Sequence, residues 1–167
     1  AATLRQVAEG GPEAFYRGSI AERLVAFSRE VGGHFAPVDF AEHQSEWVEP
    51  VSVNYRGYDV YQLPPNGQGL AVLQMLNLLG GYDLASLGPG HPDVWHLFVE
   101  AKKLAYADRA RFYSDPAFAD VPIAGLVSRA YADERRRRID PQRAARDVPP
   151  GDPRLAHGDT IYLSVVD

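Results

Sequence analysis

Apolar side chains recur along this chain at spacings that predict a mostly helical structure. Residues 70–79 are apolar on nearly every face, which is typical of a helix buried in a larger body. Pro92 opens the longest predicted helix, over residues 92–113, because a proline at the first helical position leaves no hydrogen bond unmade. Ser128 is the predicted N-cap of a last helix that runs to about Arg138.

Residues 2–31 are predicted to form short helices separated by glycines. Gly10-Gly11-Pro12 ends the first helix and opens the next. Ser19 and Glu22 have the spacing of a capping box, in which two side chains bond the free backbone N–H groups at a helix start. Gly32-Gly33 is predicted to end this helix. Its apolar face is predicted to contain Ile20, Leu24, Phe27 and Val31.

A β-hairpin is predicted over Val51–Tyr55 and Tyr58–Gln62, which alternate around Arg56-Gly57. Leu63-Pro64-Pro65 blocks further pairing because proline has no N–H to donate to a strand ladder. Asn66–Gly69 then leads into the buried helix. Its glycines permit a tight entry, which is the favoured interpretation, and backbone N–H groups that hold an anion are the alternative.

Charged side chains of the long helix are predicted to lie on its surface. Glu100 with Lys103, and Asp108 with Arg111, have a spacing that stabilises exposed pairs by roughly a few tenths of a kcal/mol. Arg135–Arg138 is predicted to be the cationic last turn of the last helix, favoured by the helix dipole, rather than an anion site. The apolar face of the long helix is predicted to contain Val94, Phe98, Ala101, Ala105 and Phe112.

Composition limits the classes of function. The chain has 167 residues, 46% of them hydrophobic, which is enough for one core of ordinary domain size. A net charge of −5 argues against a nucleic acid partner, because phosphate binding requires a basic face. The absence of cysteine excludes disulfides, zinc-thiolate sites and a thiol nucleophile. No apolar run approaches ~20 residues, so no membrane span is expected. The five histidines lack metal-ligand spacing, so no metal is expected. No cofactor is expected either.

The end of the chain carries the candidate chemistry. Residues 141–159 are rich in proline, glycine and charge, which predicts a flexible linker, and a strand is predicted over residues 160–167. Thr160 stands where this loop meets the strand. A hydroxyl there can attack its own preceding carbonyl, and the freed amine can then act as base. The alternative is that Thr160 stands there only because threonine favours β-strands. His157 either assists a proton transfer during the cut or is simply a solvated side chain.

Five stretches of the chain occur in an order that resembles a known family. They are LRQVAEGGPEAFYRGSI (Leu4 to Ile20), LPPNGQGLAVLQMLNLL (Leu63 to Leu79), HLFVEAKKLAYADRARFYSDP (His96 to Pro116), VPIAGLVSRAYA (Val121 to Ala132) and the ending GDTIYLSVVD. On these stretches, the chain resembles the γ-glutamyltransferase (γ-glutamyltranspeptidase) family of N-terminal nucleophile hydrolases over essentially its whole length.

The resemblance implies a place for each region in a larger precursor. The fold would be α+β: a mostly helical piece with a β-hairpin and a C-terminal strand, part of an αββα hydrolase fold. Residues 1–140 would be the helical part of the large subunit, residues 141–159 the linker before the processing site, and residues 160–167 the first strand of the small subunit. The chain thus looks cut at both ends, and its partners would be the other parts of the precursor.

The resemblance also implies a reaction. Processing would cut the Asp159–Thr160 bond, and Thr160 would become the nucleophile, activated by its own α-amine, whose ordinary pKa is about 8. An acyl-enzyme on Thr160 Oγ would pass a γ-glutamyl group, from a small-molecule substrate such as glutathione, to water or to an amino acid.

Two departures from the family pattern leave specificity open. Thr160-Ile161-Tyr162 stands where the family usually has Thr-Thr-His, and Asn66–Gly69 stands where Ser-Ser-Gly-Gly is usual. A glutaryl- or cephalosporin-type acylase is therefore one alternative, and a non-catalytic helical interaction module is another. The family's substrate-binding Arg would precede residue 1, and its oxyanion glycines would follow Asp167. Because oxyanion donors are worth roughly 10²–10³ in rate, the chain alone is expected to be inactive.

Overall fold

The computed structural model describes residues 2–154. The chain divides into two compact units, Ala1–Trp47 and Val48–Asp167. The predicted C-terminal strand, residues 160–167, lies outside the described residues. Within the described part, no helix is long and apolar enough to cross a membrane.

Three helices form the first unit: α1 (Ala2–Tyr16), α2 (Ser19–Glu30) and α3 (Pro37–Ala41). Gly11, inside α1, has φ 62° and ψ −158°, a conformation that breaks the helical ladder and that glycine adopts without steric cost. Pro12 then begins a second helical stretch. The predicted break at Gly10-Gly11-Pro12 is therefore confirmed.

The buried face of α2 matches the predicted one only at Ile20. Gly18 is the N-cap, Ser19 is already helical and no side chain caps the helix, so the predicted capping box is wrong. Phe27 is 61% exposed. On the face that packs, the Ser28 hydroxyl accepts a hydrogen bond from Phe35 N at 3.1 Å. Its buried residues are Ile20, Ala21, Val25 and Ser28.

The second unit begins with the predicted hairpin, β1 (Val51–Tyr55) paired antiparallel with β2 (Tyr58–Gln62). Arg56 and Gly57 have φ of 53° and 91°, the two positive values of a type I′ turn, whose twist matches that of the paired strands. The Asn54 side chain supports the turn by accepting a hydrogen bond from Gly57 N at 3.1 Å. The prediction for this region is confirmed.

Up to Arg154, where the described part of the chain ends, five helices follow: α4 (Gly69–Leu79), α5 (Leu84–Leu87), α6 (Pro92–Phe112), α7 (Ile123–Leu126) and α8 (Arg129–Arg136). α4 lies at the centre, in contact with the hairpin and with α6, α7 and α8. Its residues Leu70 and Leu73 are fully buried, as the apolar run predicts. The larger core cluster contains Leu78, Leu79, Leu97, Ala101, Leu104, Ala132 and Ile139.

Helix starts follow the local signals more closely than helix faces do. Pro92 opens α6 and the Ser128 hydroxyl accepts a hydrogen bond from Tyr131 N at 3.1 Å, so both predicted starts are confirmed. Phe98, predicted to be on the buried face of α6, is 43% exposed, and Leu97 and Leu104 are buried in its place. The prediction missed this because the face that packs is decided by where α4 and α8 lie.

The glycine-rich entry to α4 is tight. A Cβ on Gly69 would lie 2.7 Å from Gln62 Cβ and 3.1 Å from Leu63 O, closer than packed side chains approach. Any larger residue would therefore push the helix start away from the end of the hairpin. This crowding favours the predicted tight entry over an anion site at Asn66–Gly69.

Candidate functional site

The candidate residues Asp159 and Thr160, and His157 beside them, lie outside the described residues. The structure describes the approach to them, because Arg154 is six positions before Thr160. Residues 141–154 form neither helix nor strand, but their backbone is hydrogen-bonded to buried side chains of α6 and α8. We call residues 141–154 the approach segment. Two buried carboxylates of α6 bind it.

The first carboxylate is Asp108, which is 1% exposed. Its Oδ1 accepts a hydrogen bond of 2.9 Å from Gly151 N of the approach segment and lies 3.2 Å from Arg135 Nη2. Its Oδ2 accepts a hydrogen bond of 3.0 Å from Gln74 Nε2 on α4. Both oxygens of the carboxylate are therefore satisfied although water does not reach them.

Arg135 supplies the opposing charge from α8 and is 2% exposed. Its Nη2 donates to Pro149 O at 3.0 Å and to Leu104 O at 3.3 Å. Its Nε and Nη1 have no hydrogen-bond partner among the described residues. A buried ion pair is costly to desolvate, so Asp108 and Arg135 depend on each other and on the backbone groups they bind.

Two tyrosines enclose this pair. Tyr113 donates its hydroxyl hydrogen to Gln74 Oε1, which orients the Gln74 amide as a donor toward Asp108. Tyr131 is 1% exposed, and its hydroxyl finds no partner within residues 2–154. Burial first, and the charge of Asp108 second, raise the pKa of both phenols well above the usual range, so both are neutral.

The approach segment fits closely against this cluster. A Cβ on Gly151 would overlap Tyr131 Oη and lie 2.7 Å from Arg135 Cδ. Two residues on, Pro153 is fully buried, and a Cβ on Gly125 of α7 would overlap Pro153 O. We call Asp108, Arg135, Tyr131 and the bound Pro149–Gly151 backbone the Asp108 site.

The second carboxylate is Glu100, two turns before Asp108 on α6 and 2% exposed. Its Oε2 accepts a hydrogen bond of 3.2 Å from Ala145 N, and its Oε1 accepts one of 2.6 Å from Lys103 Nζ. Lys103 Nζ also donates to Ala145 O at 2.8 Å. Glu100, Lys103 and Ala145 form the Glu100 site, which holds the approach segment at an earlier point.

A separate cavity of about 330 Å³ is rich in arginine. Arg56, Arg129 and Arg136 line it, and each donates to a backbone carbonyl of the fold. Arg136 bonds Leu78 O at 2.9 Å and Asn77 O at 2.8 Å, and so caps the last turn of α4.

Among the described residues, no group of His, Asp and Glu side chains has the arrangement of a metal site.

Comparison with known proteins shows which family the whole chain resembles. The family described as gamma-glutamyltranspeptidase matches residues 1–167. The chain belongs to the γ-glutamyltranspeptidase family. It is 39% identical over 165 residues to the glutathione hydrolase-like YwrD proenzyme of Bacillus subtilis (strain 168), covering 99% of the chain and 30% of that protein. It is 41% identical over 168 residues to the acylase ACY 1 proenzyme of Pseudomonas sp. (strain SE83), covering 100% of the chain and 30% of that protein.

A solved member of the family shows the fold. The structure of the Helicobacter pylori γ-glutamyltranspeptidase matches with a TM-score of 0.72 and 31% sequence identity, covering 98% of this chain and 46% of that one. The predicted fold class, a mostly helical piece of an N-terminal nucleophile hydrolase fold, is confirmed. The γ-glutamyltranspeptidases are enzymes. The chain spans about 30% of the length of the curated relatives it matches.

In this member of the γ-glutamyltranspeptidase family, the predicted pair of Glu100 with Lys103 forms, but its predicted exposure is wrong, and so is the predicted pair of Asp108 with Arg111. Glu100 and Asp108 are buried, and Asp108 pairs with Arg135 of α8 rather than with Arg111. Arg135 and Arg136 do form the last turn of α8, but Arg135 lies in the core. One signal was available, because Asp108 follows Leu104 by four positions and therefore shares its buried face.

Proposed function

We propose that the chain is part of a γ-glutamyltransferase (glutathione hydrolase) proenzyme that cuts itself at Asp159–Thr160. The observation that carries this proposal is the family match over residues 1–167, which spans both sides of that bond, together with relatives that are themselves named proenzymes. In this proposal residues 1–140 belong to the large subunit, residues 141–159 connect it to the cut, and residues 160–167 begin the small subunit.

The proposed cut needs no outside reactant except water. Thr160 Oγ attacks the carbonyl carbon of Asp159, the peptide C–N bond breaks, an ester forms, and the hydroxyl proton passes to the leaving amine. Water then hydrolyses the ester, which leaves a carboxylate on Asp159 and a free α-amine on Thr160. That amine is the base that activates Thr160 Oγ in turnover.

Turnover follows the same logic with an external amide. Thr160 Oγ attacks the γ-glutamyl carbonyl of a substrate such as glutathione, the amine product leaves, and the γ-glutamyl ester is transferred to water or to the amine of an amino acid. The partners in this proposal are the rest of the precursor and the small-molecule substrate. The chain alone is expected to be inactive, because the oxyanion glycines of the family would follow Asp167. Such donors supply a factor of roughly 10²–10³ in rate.

The experiment is a mass measurement on the full-length parent protein. Wild-type parent should separate into two subunits with the small one beginning at Thr160, and Thr160→Ala parent should stay intact. Thr160→Ser, which keeps a hydroxyl, is the matched variant and should still be cut. A wild-type parent that stays in one piece, or a Thr160→Ala parent that is cut at the same bond, contradicts the proposal, and an intact parent favours the non-catalytic interaction module.

A second candidate is an acylase for glutaryl or cephalosporin-type amides. Two observations favour it: the 41% identity to the acylase ACY 1 proenzyme, and Ile161-Tyr162 where the family usually has Thr-His. Hydrolysis rates of a γ-glutamyl and a glutaryl chromogenic amide, measured on the processed parent, separate the two candidates. These substrates differ only in the α-amine, so a preference for the glutaryl amide defeats the transpeptidase assignment.

A further inference from the structure

We propose that Asp108 and Arg135 are positioning residues for autoprocessing, because they hold the backbone of Pro149–Gly151 and so set the point from which the chain reaches the Asp159–Thr160 bond. This inference rests on the proposed function. It assigns a task to a buried ion pair that lies outside the reacting residues themselves.

The hydrogen bonds of the pair support this task. A buried pair is stable only when its remaining donors and acceptors are satisfied. Part of this satisfaction comes from the backbone of the approach segment, since Gly151 N donates to Asp108 at 2.9 Å and Pro149 O accepts from Arg135 at 3.0 Å. The segment and the ion pair therefore hold each other in place.

Close packing at position 151 means that only glycine fits in the bound segment there. Gly151 lies so close to Tyr131 and Arg135 that no Cβ fits there. Pro153 is buried two residues later, against Gly125. The hydrogen bonds and the close packing together fix residues 149–153 as the last described attachment before the cut.

Chain length gives the expected size of the effect. Thr160 lies seven positions after Pro153; if the Asp108 site released the segment, the nearest remaining attachment would be Val148, which packs against the core twelve positions before Thr160. The effective concentration of the Asp159–Thr160 bond at the groups that catalyse its cut falls roughly as the −3/2 power of the distance along the chain, so release alone should slow the cut about twofold. Loss of orientation adds to this, because a misplacement of about 1 Å can cost a reaction roughly 10²-fold.

The test uses full-length parent precursor made in a short synthesis pulse, with the uncut fraction followed over time. Gly151→Ala forces the segment off the site and changes neither charged side chain of the ion pair. We expect its cut to be at least about twofold slower than that of wild type. Gly90→Ala is the matched control, since a Cβ on Gly90 meets nothing within 4 Å, and it should be cut at the wild-type rate. Gly151→Val, a larger displacement, should be slower than Gly151→Ala.

Three further measurements separate positioning from general damage. In precursors kept uncut by Thr160→Ala, Gly151→Ala should speed trypsin cleavage after Arg146, which reports release of the segment. Once cut, the Gly151→Ala enzyme should keep kcat/KM within about twofold of wild type, because the approach segment acts only before the cut. Tyr131→Phe removes the hydroxyl that a Cβ at position 151 would overlap. Combined with Gly151→Ala, it should restore part of the rate that Gly151→Ala loses.

The outcomes are distinguishable. If wild type is cut and both Gly151 variants are cut at the wild-type rate, positioning by the Asp108 site is refuted and the proposed function stands. If kcat/KM of the cut enzyme falls as far as the cutting rate and Tyr131→Phe restores nothing, the effect is general damage and the inference is again refuted. If wild type itself is never cut, the proposed function fails, and the inference fails with it.

Discussion

The Asp108 and Glu100 sites are built alike and differ in their cation. Each has a buried carboxylate on α6 that accepts a backbone N–H from the approach segment, Gly151 N in one and Ala145 N in the other. The cation of the Asp108 site, Arg135, comes from another helix and is 2% exposed. The cation of the Glu100 site, Lys103, lies three residues away on the same helix, and its side chain is 33% exposed.

This difference separates two kinds of ion pair. Lys103 can return to water when its partner is lost, so its pair is close to the exposed type that contributes little to stability. Arg135 has no such route, because its side chain lies in the core. Two sites that bind the same segment should therefore respond very differently to loss of charge.

The largest expected effect is that of Asp108→Asn. The amide keeps the size of the carboxylate but leaves Arg135 as an unpaired buried charge, which typically costs about 3–5 kcal/mol in the free energy of unfolding. Urea unfolding of the 167-residue chain measures the loss, with the exposed Asp120→Asn as the matched control. A loss below about 1 kcal/mol would mean that the two charges do not depend on each other.

Alkaline pH should break the Asp108 site before the Glu100 site. Tyr113 and Tyr131 stand only at the Asp108 site, and their pKa is raised in the folded state. Below about pH 10 both states hold the phenol proton and this stability is fully present; above it the unfolded chain releases the proton while the folded chain keeps it. The free energy of unfolding should then fall by up to about 1.4 kcal/mol per pH unit for each tyrosine.

Urea unfolding between about pH 8 and pH 12 tests this slope. Tyr131→Phe and Tyr113→Phe should each make it shallower, whereas Tyr58→Phe, an exposed tyrosine of the hairpin, should leave it unchanged. An equal slope in all three variants would show that other groups cause the alkaline loss.

The smallest expected effect is that of Glu100→Gln. Glutamine keeps the size of the carboxylate, and the Lys103 side chain, which is 33% exposed, can return to water, so the chain should lose no more than about 1 kcal/mol. Because salt screens such a pair, the difference from wild type should shrink as NaCl is raised from low salt to about 1 M. A loss as large as that of Asp108→Asn would remove the distinction between the two sites.

Local sequence signals predicted the elements of this fold well. The hairpin follows from Arg56-Gly57, which accepts two positive φ values, and the starts of α6 and α8 follow from Pro92 and Ser128. In each case the deciding interaction lies within a few residues of the signal. The order of five motifs likewise led to the family, which the comparison with known proteins confirms.

The faces of the helices and the partners of their charges could not be predicted in this way. The sequence indicated an exposed Asp108 beside Arg111, but the observed partner, Arg135, is 27 positions away. Phe98 and Phe27 were placed inside by their hydrophobicity and lie outside, since smaller side chains on the adjoining faces pack more closely.

The sequence by itself determined where the hairpin, α6 and α8 begin, which family the chain belongs to, and which threonine is the candidate nucleophile. Backbone conformation and hydrogen bonding within a few residues are enough for the first of these. Only the tertiary structure decided that Asp108 and Glu100 are buried and that they hold Gly151 and Ala145. The reason is physical: a charge is desolvated by elements that are distant in the chain, and the cost of burial is offset only when those elements meet.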